Sequence, residues 1–524
     1  MLAILRQVLA KPLNIIGILC MLVLVLFHKP TSMYYYLTIA QLVYVPIMLQ
    51  QLVQLKRWQF GAILVGQMAV TLLYFIDSPI LSIIGASTYL ISTVAVMWSG
   101  IERFLQRGFV NTAEIMIDIG LIYIAMGGIW FFAHVTGIDT GFSPIITWLT
   151  AIHFHYSAFL LCITVGLLGR LHMSTFYASC SVVIAAGPML VALGITFSHM
   201  IEIVSVSLYV VAIFSLAVYA LRVHLPRLAG AFIRLAFLTL CFTIVWSFLY
   251  AYSNVTGSGL VNIPDMLAFH GILNCLLFGG AITLAWIFYI PPSNHQPYTF
   301  PVSQIRGKIT ATTGQYHALV DDMDVFINKD SIASRIYDFY ENTLHYELFA
   351  SVQWSTWFKP FAFLYQFMSR RIGQLNLPYS ADVIKMDGDI LKVDANIDGR
   401  TNPRIWQRSA NGQTIFSAIY SVHTNNDHTY MNIALPLPKS VMHGILTVVV
   451  KDDSLYLTSN ANGDAGTYLS IGRFIFKLPL HEYFTIEEQD HKLYATHEMT
   501  LFGVKFLHID YTIHNTTLPF NNFE

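Results

Sequence analysis

Residues 264–301 read PDMLAFHGILNCLLFGGAITLAWIFYIPPSNHQPYTFP. As far as Ile290 the stretch is almost wholly apolar and longer than the ~20 residues that cross a bilayer core. Then Pro291, Pro292 and Pro297 arrive within one short segment. Proline lacks an amide hydrogen and restricts the residue before it, so the helix stops and an extended linker begins. Upstream, further apolar runs lie at 13–27, 33–55, 60–76, 80–100, 113–135, 145–168, 175–197, 200–221 and 231–250, which with 264–290 predict about ten spans. Downstream the composition changes. The first 290 residues carry 18 of the chain's 59 charged side chains and the remainder carry 41. The expected organisation is a transmembrane helical domain over 1–290, a proline-rich linker over 291–301 and a soluble domain over 302–524.

Basic clusters fall at every second break between the runs: Lys56 and Arg57, Arg103 and Arg107, Arg170, Arg222 and Arg227, then Arg306 and Lys308. The opposite breaks carry Asp77, Asp139 or no charge, and only Lys29 departs from the pattern. With Arg6 and Lys11 ahead of the first run, the positive-inside rule places both termini in the cytoplasm of a bacterial-type inner membrane. The run 13–27 has no small-x-small cleavage site after it, so it reads as a retained helix. A net charge of −1 gives no basic field for nucleic acid. All five cysteines lie in apolar runs without Cys-x-x-Cys spacing, which suits a reducing compartment.

In the soluble half, helical periodicity covers 331–346 and 357–375. From about Val383 the pattern shifts to short alternating segments. Two apolar arms at 444–450 and 455–459 flank Lys451-Asp452-Asp453-Ser454 and read as a hairpin. More strands are expected at 390–395, 414–422, 430–434, 468–476, 492–497 and 504–513. The fold class is a polytopic helical bundle followed by a cytoplasmic α+β domain with a curved antiparallel sheet.

Polar side chains inside a bilayer are costly and tend to line cavities, pair or bind something. Here most are histidines. His134, His153, His155, His199 and His270 fall in the outer half of the predicted spans, together with Tyr156, Glu202 and Asn274. His270 and Asn274 are four apart and share a helix face. His153 and His155 are two apart, about 200° in azimuth, so one ion cannot take both on an undistorted helix. These residues predict a polar cavity, an interhelical hydrogen-bond network, or a transition-metal or haem site with His153, His155 and His270 as ligands, since neutral imidazole binds such metals. Glu114 and Asp118, four apart near the cytoplasmic side, require a nearby cation or a raised pKa. Arg234 is the expected cation.

In the soluble domain Trp354, Trp357 and the aromatic run behind them, ending at Arg370 and Arg371, read as an amphipathic helix on the membrane surface or as a cover for the domain's own sheet. Arg400, Arg404 and Arg408 suggest a site for an anionic group.

Certain short stretches resemble known proteins. Phe339-Tyr340-Glu341-Asn342-Thr343, Trp357-Phe358-Lys359-Pro360, Ser369-Arg370-Arg371-Ile372, Asp398-Gly399-Arg400, Leu455-Tyr456-Leu457-Thr458-Ser459, residues 474–479 and Leu501-Phe502-Gly503 resemble a bacterial domain of unknown function that elsewhere follows saccharopine-dehydrogenase-like domains. With residues 149–156 and His270-Gly271-Ile272-Leu273-Asn274, the whole chain is similar to the YndJ-like membrane proteins. Met499-Thr500 stands where the related domain tends to show His-Pro, so no catalytic role carries over there. The resemblance implies architecture and leaves activity open. The expected function is that of a sensor, carrier or assembly factor with a His-lined intramembrane cavity and a cytoplasmic domain for an apolar ligand or membrane-protein partner. The alternative is an intramembrane metal- or haem-dependent enzyme acting on lipid or a redox substrate.

Overall fold

The computed structural model describes residues 2–28, 33–309 and 312–516. Lys29, the exception to the charge pattern, lies outside the described residues. The chain forms two compact units, one of Met1–Phe104 with Asn111–His295 and one of Leu105–Val110 with Gln296–Glu524.

The first unit is helical. It begins with α1 (Leu2–Leu9) and α2 (Pro12–Phe27), bent by 83° where Lys11 is extended and Pro12 opens the second helix. Next come α3 (Tyr35–Ile39, Ala40–Tyr44 and Val45–Leu52), α4 (Arg57–Leu72), α5 (Pro79–Leu105), α6 (Thr112–Thr136) and α7 (Pro144–Gly169). The last four are α8 (Thr175–Phe197), α9 (His199–Arg222), α10 (Arg227–Thr256) and α11 (Ile263–Phe288). Among the described residues, α5 to α11 are the seven helices long and apolar enough to cross a membrane, or eight with the bent α1–α2 pair.

The expected count of ten is therefore matched only approximately, and the shortfall lies near the N-terminus. Helix α4 has 16 residues, about 24 Å at ~1.5 Å per residue, against a hydrocarbon core of ~30 Å. Helix α3 carries Gln41, Gln50, Gln51 and Pro46, which dilute its hydropathy. Three helices are locally unwound into π-turns: α3 at Ala40–Tyr44, α7 at Phe154–Leu160 and α11 at Met266–Gly271 and Leu273–Phe278.

The second unit is built on a 13-stranded antiparallel sheet. Its strands are β1 (Thr312–Gln315), β2 (Tyr346–Trp354), β3 (Ile384–Val393), β4 (Arg404–Ala410), β5 (Gln413–Asn425), β6 (His428–Leu437) and β7 (Ser440–Lys451). They continue as β8 (Ser454–Thr458), β9 (Gly466–Ile471), β10 (Phe474–Lys477), β11 (Leu480–Gln489), β12 (Lys492–Leu501) and β13 (Val504–Asn515). The order runs β7-β6-β5-β4-β3-β2-β13-β12-β11-β8, and β8 also pairs with β7. The expected curved sheet thus closes into a barrel, leaving β9–β10 and β1 as short appended strands outside the closed ring.

Closure is possible because β7 is long enough to share one edge. Residues 440–445 pair with β9 and residues 447–451 with β8. Apolar residues at alternate positions, such as Leu348, Ala350 and Val352 on β2 and Leu507, Ile509 and Ile513 on β13, point into one core. The helix α12 (Ser334–Glu341) feeds Ile336, Phe339 and Tyr340 into it. The chain leading into the barrel lays Phe300 and Ile305 on the outer face of the strands.

The helix expected at 357–375 is α13 (Lys359–Ile372). Trp354 is not part of it, however: it ends strand β2, in register with Leu507.

Candidate intramembrane polar site

The π-turns position the polar residues of the first unit. A π-turn inserts an extra residue, leaves a backbone group to be satisfied otherwise, and recurs at functional sites. Gln41 and Tyr44 lie on the α3 turn, His155 and Tyr156 on the α7 turn, and His270, Asn274 and Cys275 on the two α11 turns. These turns meet. The Tyr156 hydroxyl donates to the Tyr36 carbonyl at 2.7 Å, and the Tyr44 ring packs edge-on to Tyr156 at 6.1 Å. Gly279 makes room for both rings, since a Cβ there would come within 2.7 Å of Tyr44 and 2.8 Å of Tyr156.

His155 is fully buried, and both its ring nitrogens are engaged. Nδ1 lies 2.8 Å from the Ala151 carbonyl, which can only accept, so Nδ1 carries a hydrogen. Nε2 pairs with the Tyr89 hydroxyl at 2.6 Å, accepting from it when the ring is neutral. The ring fits because Gly127 on α6 has no Cβ, which would stand 2.7 Å from it.

His153 and His270 form a separate pair, their rings stacked with centroids 6.2 Å apart. His153 Nδ1 donates to the Leu149 carbonyl at 2.7 Å. His270 Nδ1 faces the Thr243 carbonyl at 3.0 Å and Ser247 Oγ at 3.2 Å. Its Nε2 accepts from Asn274 Nδ2 at 3.1 Å, and Thr243 Oγ1 donates to Asn274 Oδ1 at 2.8 Å. The structure thus brings together His153, His270 and Asn274 and directs His155 to Tyr89. Among the described residues, no group of three or more His, Cys, Asp or Glu could hold a metal ion.

Glu202 belongs to another cluster. It is buried, accepts from Asn254 Nδ2 at 3.1 and 3.2 Å, and lies 3.3 Å from His199 Nδ1. Asn254 is seven residues beyond Ser247 on α10, about 10 Å at ~1.5 Å per residue.

At the same end of the helices lies a cavity of about 220 Å³. His28, Tyr34, Tyr35, Tyr74, His134 and Trp148 supply its aromatic walls, and Thr38, Gln41 and Ser82 supply polar groups. Among the described residues, no carboxylate, lysine or arginine lines it. Gln41 is 2% exposed, lies beside Tyr89, and has neither end of its amide in a well-formed hydrogen bond. Phe131 both lines the cavity and packs edge-on to Tyr89 at 5.3 Å. A continuous path of contacts therefore links the cavity, Gln41, Tyr89 and His155. Of its lining, the sequence pattern marks His134; Gln41 and the run Tyr34-Tyr35-Tyr36 are uncharged and leave no mark in a hydropathy pattern.

Towards the opposite end, Glu114 and Asp118 are buried and pair with two arginines. Arg103 donates to Glu114 at 2.7 Å and to Asp118 at 2.9 Å; Arg170 donates twice to Glu114, at 2.6 and 2.9 Å. The cations are Arg103 and Arg170 rather than the expected Arg234.

In the barrel the three arginines do not share a site. Arg400 is fully enclosed, paired with Asp398 at 2.6 Å and bonded to Asn432 and the Ile419 carbonyl. Arg404 pairs with Asp321 and stacks over Tyr316. Arg408, four residues on and so about 13 Å along the strand, is sandwiched between Trp406 and Phe416, 4.0 Å from each ring centre. Burial pushes the neighbouring Tyr420 phenol up to about 12, with Arg408 pulling the other way. On the outer face His443 is fully buried, and desolvation together with Arg400 and Arg306 pushes its imidazole down to about 3.

The profile of the YndJ-like protein family matches residues 35–278. That match begins well before Leu149, where the sequence motifs of the membrane part start. The uncharacterized membrane protein YndJ of Bacillus subtilis (strain 168) is 38% identical over 444 residues, covering 80% of this chain and 81% of the relative. No solved structure matches.

Proposed function

Because the chain belongs to the YndJ-like protein family and is a multi-pass membrane protein, we propose that it is a membrane-embedded sensor or carrier whose ligand occupies the aromatic cavity at Gln41. The observation that carries this reading is the buried Gln41 amide, lining a cavity of about 220 Å³ without a well-formed bond. A buried polar group left unmet costs about 1–3 kcal/mol, so its retention favours an occupant that meets it. Among the described residues the lining holds no carboxylate, lysine or arginine, which favours an uncharged ligand. The aromatic walls select a flat one, and an amide offers it both a donor group and an acceptor. Under the positive-inside reading, the cavity opens to the outer leaflet. Tyr89 and His155 would pass occupancy to the centre of the bundle, because an occupant bonded to Gln41 would shift its amide against the Tyr89 hydroxyl beside it.

A thermal-shift screen of planar, uncharged compounds on the full chain in nanodiscs tests this. Compounds that stabilise the parent should lose their effect on Gln41→Leu and keep it on a substitution in the barrel. Equal stabilisation of Gln41→Leu would refute the site. The enzyme alternative rests on the stacked His153 and His270. It requires a stoichiometric transition metal or haem in the purified protein, released by His270→Ala.

A further inference from the structure

Five two-residue turns join neighbouring barrel strands with both residues at positive φ. Four of them begin with the residues that tolerate this conformation: Asn411, Asn426, Asp452 and Asp490. The fifth is Phe502-Gly503, and Phe502 sits at φ 50°, where a bulky residue is strained. Its ring gains no burial in return, being 67% exposed. An aromatic ring held in the open against the turn's own preference points to something that receives it.

The surroundings share this character. Val504 is exposed beside it, and Phe109, itself exposed, meets Phe502 edge-on at 5.7 Å. Trp357 donates its indole N–H to the Lys505 carbonyl at 2.9 Å and leads into α13. That helix buries Ala362 and Ser369 and turns Phe361, Phe363, Leu364, Phe367 and Met368 outward, each at least half exposed. A helix covering its own sheet would show the reverse. Lys359, Arg370 and Arg371 are exposed at its ends. Phe109 also stands two residues before Asn111, whose side chain caps the membrane helix α6.

We infer that this face of the barrel unit is a second membrane contact. The occupant is the bilayer itself: Phe361, Leu364, Phe367, Met368 and Phe502 enter the boundary between headgroups and acyl chains, and Arg370 and Arg371 meet anionic headgroups. Apolar residues on one side of an amphipathic helix with basic residues at its border are what an anionic leaflet binds. The patch's continuity in sequence with a transmembrane helix favours lipid over a soluble partner.

The test places the photoreactive residue p-benzoylphenylalanine at position 361, 364 or 502 of the full chain in its native membrane, with position 452, in a turn at the other end of the strands, as the control. Irradiation should attach a phospholipid mass at the first three positions and none at the control. Arg370→Glu with Arg371→Glu should lower the yield at 361 several-fold. Phe502→Asn should raise thermal stability while reducing lipid attachment at 361. Attachment to a polypeptide, including a second copy of the chain, or no attachment at the three positions, would overturn the inference. A loss of stability in Phe502→Asn would overturn the reading of that turn.

Discussion

At the scale of single residues, His155 and His443 are fully enclosed. His443 supplies a pH prediction. Its folded pKa, pushed down to about 3, lies below the unfolded value of 6.5, so over that window the unfolded chain binds a proton that the folded chain refuses. Stability is then fully present above about pH 6.5 and is lost as pH falls toward 3. Thermal unfolding of the barrel followed from pH 7.5 to 4.5 should show this decline, with a shallower slope in His443→Gln; identical slopes would remove the histidine as the cause. Gly127→Ala gives a second check, because the new Cβ would lie 2.7 Å from the His155 ring. Overpacking of this kind costs about 1–3 kcal/mol, and the variant should melt earlier than Gly61→Ala, since Gly61 has helical backbone and nothing stands within 4 Å of its Cβ position. The sequence showed His270 and Asn274 sharing a face because helical spacing alone decides that. It did not show Gln41, Tyr89 or the tyrosine-lined cavity, since uncharged polar residues leave no mark on a hydropathy pattern.

At the scale of elements, the same division recurs. Helix α13 and the hairpin of β7 and β8 follow from periodicity and turn residues. The body of β2 lies between the helical patterns 331–346 and 357–375 and carries no strand expectation, and in β4 the buried Arg404, Trp406 and Arg408 hide the two-residue alternation. Even so, Glu114 and Asp118 on α6 called for a cation, and the geometry supplies two. Arg103 from α5 and Arg170 beyond α7 clamp three helices through these carboxylates. Removing one partner of a buried pair strands the other, at about 3–5 kcal/mol. Glu114→Gln should therefore destabilise the bundle more than Glu114→Gln combined with Arg170→Met. A double variant less stable than the single one, by thermal melting in nanodiscs, would show that the two residues act independently.

At the scale of the whole molecule, the charge alternation predicts where each end of the chain lies. A reporter active only in the cytoplasm should work when joined to the C-terminus and fail when placed in the loop at Asp139. The reverse pattern would invert the assignment of the cavity to the outer leaflet while leaving the cavity itself intact. The central claim is that this cavity receives a ligand at Gln41, and the most direct measurement is a high-resolution density map of the full chain purified from its own membrane. The account predicts discrete non-protein density between the walls of Tyr34, Tyr74 and Trp148, with an atom about 3 Å from the Gln41 amide. A cavity closed by its own side chains, with the amide of Gln41 fully bonded to protein, would contradict it.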